Sequence, residues 1–266
     1  MWVCCLGYKH HIGNNMITLQ DFCHDLNTLL INTPVDDYCP NGLQVEGQKS
    51  ITKIGTAVSA SLATIQEAVR QNVHALIVHH GMFWERDSQL IIGVKREKLR
   101  LLLDNGISLL GYHLPLDIHQ EYGNNWKAAR DMGWQELQPF GFYKGTAIGV
   151  RGILRDTSRE KLQEILEVYY QHPANVALGG KKEIKSLALI SGGAHKMIND
   201  AVVGKVDAFI TGSFDEPIWN IAHEEGINFY ALGHSATEKV GPKAIGDYLA
   251  SKFGLEHTFI DVPNPF

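Results

Sequence analysis

Five side chains able to ligate a metal stand just after apolar, strand-like runs in this chain of 266 residues. His79 and His80 follow Ala75-Leu76-Ile77-Val78 and precede Gly81, and Asp117 closes the segment Gly111-Tyr112-His113-Leu114-Pro115-Leu116-Asp117. His234 and Glu238, four apart, lie in Leu232-Gly233-His234-Ser235-Ala236-Thr237-Glu238. Imidazole and carboxylate donors without a thiolate favour Zn, Mn, Fe or Co over softer ions. One catalytic zinc usually takes three protein ligands and a water, so five donors suit two divalent ions that share a carboxylate and keep water positions open.

Each donor also has a plainer employment. Neighbouring residues of a strand face opposite sides, so His79 and His80 act jointly only if the chain leaves the strand there, which Gly81 permits. Otherwise one is structural and the other exposed. Asp117 equally suits a cap or turn, and Pro115 predicts a rigid loop rather than a helix interior. Ser235 and Glu238 form an S-x-x-E capping box, whereas a histidine and a carboxylate four apart at a strand-to-helix junction converge above the first turn. Donors leaving three strand ends in one direction favour the joint reading.

The elements that must position these groups are legible as alternating strands and helices. Thr18 and Asp21 cap a helix whose apolar positions Leu19, Phe22, Leu26, Leu29 and Leu30 recur at helical spacing. Strand 51–58, helix 61–71 and strand 75–78 make a βαβ unit, followed by a basic helix over 95–104 and strand 107–110. The second half repeats the scheme with strand 186–190, a Gly192-Gly193 turn, a helix to Val203, strand 208–210, helix 218–225, strand 229–232 and a long helix from Ser235 to about Lys252. Residues 73–77 resemble 206–210, and 106–109 resemble 226–229, in the same order. The predicted fold is α/β: two related lobes, with mostly parallel or mixed sheets covered by helices and a metal site between them. The expected division is an N-terminal extension over 1–15, a first lobe over 16–133, an intervening segment over 134–185 and a second lobe over 186–266.

A net charge of −5, from 24 Lys+Arg against 29 Asp+Glu, leaves no basic field to hold nucleic acid, although a local pocket for a small nucleotide is compatible with it. Cys4, Cys5, Cys23 and Cys39 show no C-x-x-C spacing and read as reduced bystanders. No apolar stretch approaches the roughly 20 residues that span a bilayer, and the opening lacks a secretory leader's pattern, so a cytoplasmic protein is expected. Residues 1–15, with His10 and His11, fit nothing that follows, and Met16 is the expected natural start.

The strings HHGMFW (79–84), GYHLPLD (111–117), ALGHSATE (231–238), NGLQVEG (41–47) and DVPNP (261–265) resemble those of the bacterial Nif-three-like proteins, the group of GTP cyclohydrolase I type II homologues. The resemblance runs from about Met16 to the C-terminus. It implies two α/β lobes around a dinuclear metal site and a toroidal hexamer built from dimers. It further implies that His79 and Asp117 bind one ion, that His80 and His234 bind the other, that Glu238 bridges, and that His113 lies close by, either supporting the ligands or carrying a proton. The implied reaction is hydrolytic attack on C8 of the guanine of GTP, with ring opening and formate release. Phosphoester or nucleotide hydrolysis, or a non-enzymatic metal-binding scaffold, are the alternatives. Ser213 stands where the family usually has an acidic residue, with Asp215 and Glu216 nearby as possible replacements. The Gly192-Gly193 turn could cradle phosphates or simply join strand to helix. Lys95, Arg96, Lys98 and Arg100 read as a solvated helix face.

Overall fold

The computed structural model describes residues 16–32 and 34–266. The extension over 1–15, with Cys4, Cys5, His10 and His11, lies outside the described residues. Alternation inside short apolar strands decides the architecture. In strand Ala75–His80, Ala75 and Ile77 enter one core while Leu76 and Val78 enter another. A strand buried on both faces needs a helical layer on each. Helices Leu19–Leu30 and Val240–Phe253 cover one face through Phe22, Leu26, Ile245 and Leu249. Helices Leu62–Arg70 and Gly93–Asp104 cover the other through Ile65, Ala68 and Leu102. The expected cap forms, with Asp21 N–H donating to Thr18 Oγ1 at 3.1 Å.

This first sheet has the order Glu256–Phe259, Lys53–Ser59, Ala75–His80, Ser108–Gly111 and Gly42–Val45. Its first four strands are mutually parallel and the last is antiparallel. The second sheet has the order Gln135–Tyr143, Thr146–Ser158, Glu183–Leu189, Ala208–Thr211, Asn228–Ala231 and Asn175–Leu178. Its parallel centre is Glu183–Leu189, Ala208–Thr211 and Asn228–Ala231. Phe209 and Phe229 pack against helices Ile198–Val203 and Pro217–Glu224. Ile210 and Tyr230 share a core with helices Asn124–Asp131 and Arg159–Tyr170 on the other side.

The two sheets share one plan. In each, three parallel strands run in chain order, and an antiparallel strand that precedes them in the sequence pairs with the third. The short matches between 73–77 and 206–210, and between 106–109 and 226–229, lead into or lie on corresponding strands.

The division along the chain differs from the expected one. Strands Gln135–Tyr143, Thr146–Ser158 and Asn175–Leu178 belong to the second sheet, so residues 134–185 do not stand between the lobes. The C-terminal stretch leaves the second lobe instead. Helix Val240–Phe253 places Ile245 and Leu249 in the first core, and Glu256–Phe259 pairs in parallel with Lys53–Ser59. The single helix expected from Ser235 is two, His234–Thr237 and Val240–Phe253. Pro242 sits in the first turn of the second, where its missing N–H costs nothing. No helix among the described residues is long and apolar enough to cross a membrane.

Candidate metal centre

All five predicted donors come from the C-terminal ends of parallel strands or the turns that follow them, the edge where open α/β sheets bind ligands. His79 and His80 are the last residues of Ala75–His80. Asp117 lies in helix Leu114–Ile118, entered from Ser108–Gly111, and His234 opens helix His234–Thr237, entered from Asn228–Ala231. Glu238 follows at once.

Local detail corrects three expectations. The strand does not break before the histidine pair: both residues remain in it, with His80 in register with Ser59. Their rings nevertheless meet, with centroids 4.7 Å apart, because the target lies beyond the strand's end rather than on one face. Gly81 serves close approach: a Cβ there would stand 2.3 Å from the Gln44 amide, which accepts the Met82 N–H. Pro115 begins a helix, since it occupies the first turn where its N–H is not needed. The Ser235/Glu238 capping box does not form. Gly233, at φ 85°, precedes the helix, and Glu238 ends it with its carboxylate turned into the site.

The carboxylate of Glu238 is the meeting point. Its Oε1 stands 3.2 Å from His234 Nε2 and 3.5 Å from His79 Nε2, and its Oε2 stands 3.3 Å from His80 Nε2. Asp117 Oδ2 is 3.6 Å from His79 Nε2. Donors bound to one ion at about 2.0–2.2 Å stand roughly 3–3.5 Å from one another, so this spread suits ligand edges better than hydrogen bonds. Two buried atoms support that fit: His79 Nε2 and Glu238 Oε2 have no hydrogen-bond partner, although such atoms are costly to bury unsatisfied. His80, His234 and Glu238 bring ligand atoms within 4.8 Å of one another, as do His79, His80 and His113, so either group could hold a metal ion.

Protonation follows from the same crowding. Burial would lower the pKa of His79, but the Asp117 and Glu238 carboxylates outweigh it and the value is pushed up to about 9. Burial likewise opposes ionisation of Glu238, yet His80, His79 and His234 hold its carboxyl well below the usual range. His80 is lowered, chiefly by burial, and His234 is raised by its contact with Glu238.

Supporting groups orient the donors. His79 Nδ1 donates to the Tyr112 carbonyl at 3.1 Å, which directs Nε2 at the cluster. His80 Nδ1 meets Ser59 Oγ at 3.0 Å. Asp117 Oδ1 accepts from Asn124 Nδ2 at 2.8 Å and from Ser191 Oγ at 3.1 Å, leaving Oδ2 for the site. Asn125 Oδ1 accepts the Ser191 N–H at 2.7 Å, tying the turn after strand Glu183–Leu189 to helix Asn124–Asp131. His113 Nδ1 donates to Asp37 Oδ1 at 2.8 Å, and its ring lies 5.0 Å from that of His79. Asp37, Ser59, Asn124 and Asn125 escaped the sequence reading, because single polar residues outside a repeated pattern carry no local signal, and Ser191 entered it only as part of the glycine-rich turn over 191–194. The adjacent Asn124-Asn125 at a helix start was the one available hint.

Ser213 meets His234 Nδ1 only at 3.5 Å. Asp215 faces His195 at 3.9 Å and is half exposed, so it does not replace the missing acid at the cluster. The Gly192 N–H donates to Thr237 Oγ1, and a Cβ on Gly192 would stand 2.1 Å from Glu238 Oε1. That glycine makes room for the carboxylate and has no free amide for a phosphate.

The profile of Duf34/NIF3 (NGG1p interacting factor 3) matches residues 17–265. A Chlamydia muridarum protein named GTP cyclohydrolase 1 type 2 homolog is 48% identical over 252 residues, covering 94% of this chain and 100% of its own length. A Pseudomonas aeruginosa protein of the same name is 39% identical over 251 residues, covering 94% and 99%. The crystal structure of TTHA1606 from Thermus thermophilus superposes with a TM-score of 0.87 at 31% identity, covering 94% of this chain and 100% of that one. With a profile match across nearly its whole length and a shared fold, the chain belongs to the DUF34/NIF3 family.

Proposed function

We propose that this protein is a hydrolase with a dinuclear metal centre that opens the imidazole ring of a guanine nucleotide and releases formate. The observation that carries the proposal is the buried Glu238 carboxylate, set between three imidazole nitrogens with no hydrogen-bond partner on Oε2. The reaction class comes from the name that close relatives bear. His79 and Asp117 would hold one divalent ion (Zn, Mn, Fe or Co), His80 and His234 the other, and Glu238 both. Such a pair lowers the pKa of water towards neutrality and polarises the group under attack.

The remaining work falls to the chain itself. Asp37 fixes His113 through Nδ1, so Nε2 is the nitrogen available to carry a proton at the cleft wall. Asn124 and Ser191 aim Asp117, and the Tyr112 carbonyl aims His79.

The test is metal analysis after reconstitution, followed by a formate assay with GTP. Two ions per chain and formate release are expected, with Glu238→Ala losing bound metal and turnover by roughly a hundredfold. Cleavage of a phosphoester without formate would move the activity to phosphoester hydrolysis. Full loading with no turnover would make the protein a scaffold, and failure to bind ions would remove the centre itself.

The same resemblance underlies a proposed toroidal hexamer built from dimers, for which the exposed run Leu90, Ile91, Ile92 and Val94 offers apolar surface. The proposed compartment is the cytoplasm, in keeping with the unpaired Cys23 and Cys39.

A further inference from the structure

The metal centre forms the floor of a cleft of about 620 Å³ whose walls differ in chemistry. On the side of the first lobe stand Tyr38 and Trp84, with ring centroids 5.6 Å apart. Each is set nearly perpendicular to His113, at 5.0 and 5.2 Å, and Trp84 lies 5.9 Å from His80. Aromatic surface therefore begins one ring's width from the ligand imidazoles. The facing wall, from the second lobe, presents Ile148, Ile190 and Met197. A slot with aromatic and aliphatic sides accepts a planar heterocycle by stacking.

Cationic side chains are scarce. Lys196 is the one lysine or arginine lining the cleft among the described residues. Past Tyr38 and Trp84 the cleft adjoins an outer hollow that contains Arg86 and Lys144, but Glu85 lines it too and Lys144 is paired with Asp36 at 2.9 Å. The basic helix face is not a substitute, since none of Lys95, Arg96, Lys98 and Arg100 lines the cleft or the outer hollow. A triphosphate tail carries roughly three to four negative charges at neutral pH and needs several cations or free amides to hold it. If a ring carbon reacts at the floor, the phosphoryl chain points away from the centre and meets Lys196 and the short Gly193-Ala194 backbone, enough for one phosphoryl group but not for three.

We propose that the ligand of this cleft is a planar heterocycle with one phosphoryl group or another single anion, seated between Trp84 and the Ile148/Ile190 wall with Lys196 on the anion. The proposal rests on the hydrolytic reading of the centre and narrows it away from the triphosphate.

Calorimetry on the metal-reconstituted full chain with guanosine, GMP and GTP at fixed ionic strength tests it. GMP is expected to bind at least as tightly as GTP and roughly tenfold more tightly than guanosine, and Lys196→Ala should erase that advantage. Trp84→Ala should weaken all three ligands by roughly tenfold, with Trp84→Phe restoring most of the loss and metal content unchanged in both variants. GTP binding tenfold tighter than GMP, or indifference to Trp84→Ala, would overturn the subsite. If the ligands bind in the expected order but no formate appears, the ring subsite stands and the hydrolytic reading fails. Formate release from GTP with GTP bound most tightly has the opposite meaning.

Discussion

Asp37 shows how much of this site depends on single residues outside any motif. Its Oδ1 accepts from His113, while Oδ2 accepts from the Leu114 N–H at 3.0 Å and from Asn41 Nδ2 at 3.0 Å. Burial would raise its pKa, but His113, Asn41 and the Leu114 amide bring it down to about 2. A carboxyl whose folded value is depressed stabilises the fold above its unfolded value, and that stability disappears as pH falls through the folded value. Asp37→Asn should therefore cost about 2 kcal/mol at neutral pH, with the difference from the parent protein shrinking below about pH 4 and nearly gone near pH 2. Urea unfolding across that range is the measurement, and a pH-independent difference would remove the Asp37 carboxylate as the cause. The candidate donors were conspicuous in the sequence because His and Asp/Glu stand beside apolar runs. Asp37 was not, since an aspartate between prolines reads as a turn former.

At the scale of elements, the helix Asn124–Asp131 joins the lobes. Asn125 is fully buried, its Nδ2 donates to the Ile148 carbonyl at 2.8 Å, and its Oδ1 accepts from Ser191. Asn125→Ala would leave a buried N–H and a buried carbonyl unsatisfied, an expected loss of about 2–3 kcal/mol. In urea the midpoint should fall at unchanged slope, and metal affinity should fall with it because Ser191 also holds Asp117. A midpoint within error of the parent's would show that water replaces both contacts. Strands and amphipathic helices were legible because apolar periodicity is local. The end of the strand at His80 and the failed capping box at Glu238 were not, because these residues meet groups from elsewhere in the chain, and the helix at Pro115 was not, because a proline suits a first turn and a loop alike.

For the whole molecule, the exposed Leu90, Ile91, Ile92 and Val94 bear on the proposed assembly. Light scattering should give a mass six times that of the chain, and Ile91→Lys should lower it while leaving the circular dichroism spectrum intact. A monomeric parent protein would refute the hexamer. The chain's own order of residues determined that there would be two α/β halves of related plan, with metal-ligand chemistry at their strand ends, because hydrophobic alternation and residue type are properties of near neighbours. Only the tertiary structure decided that the final helix and strand return to the first lobe, that Tyr38 and Trp84 wall the cleft, and that Glu238 reaches His79, His80 and His234 together. Those meetings join residues far apart along the chain, and the packing of the two cores, which no local pattern encodes, sets their distances.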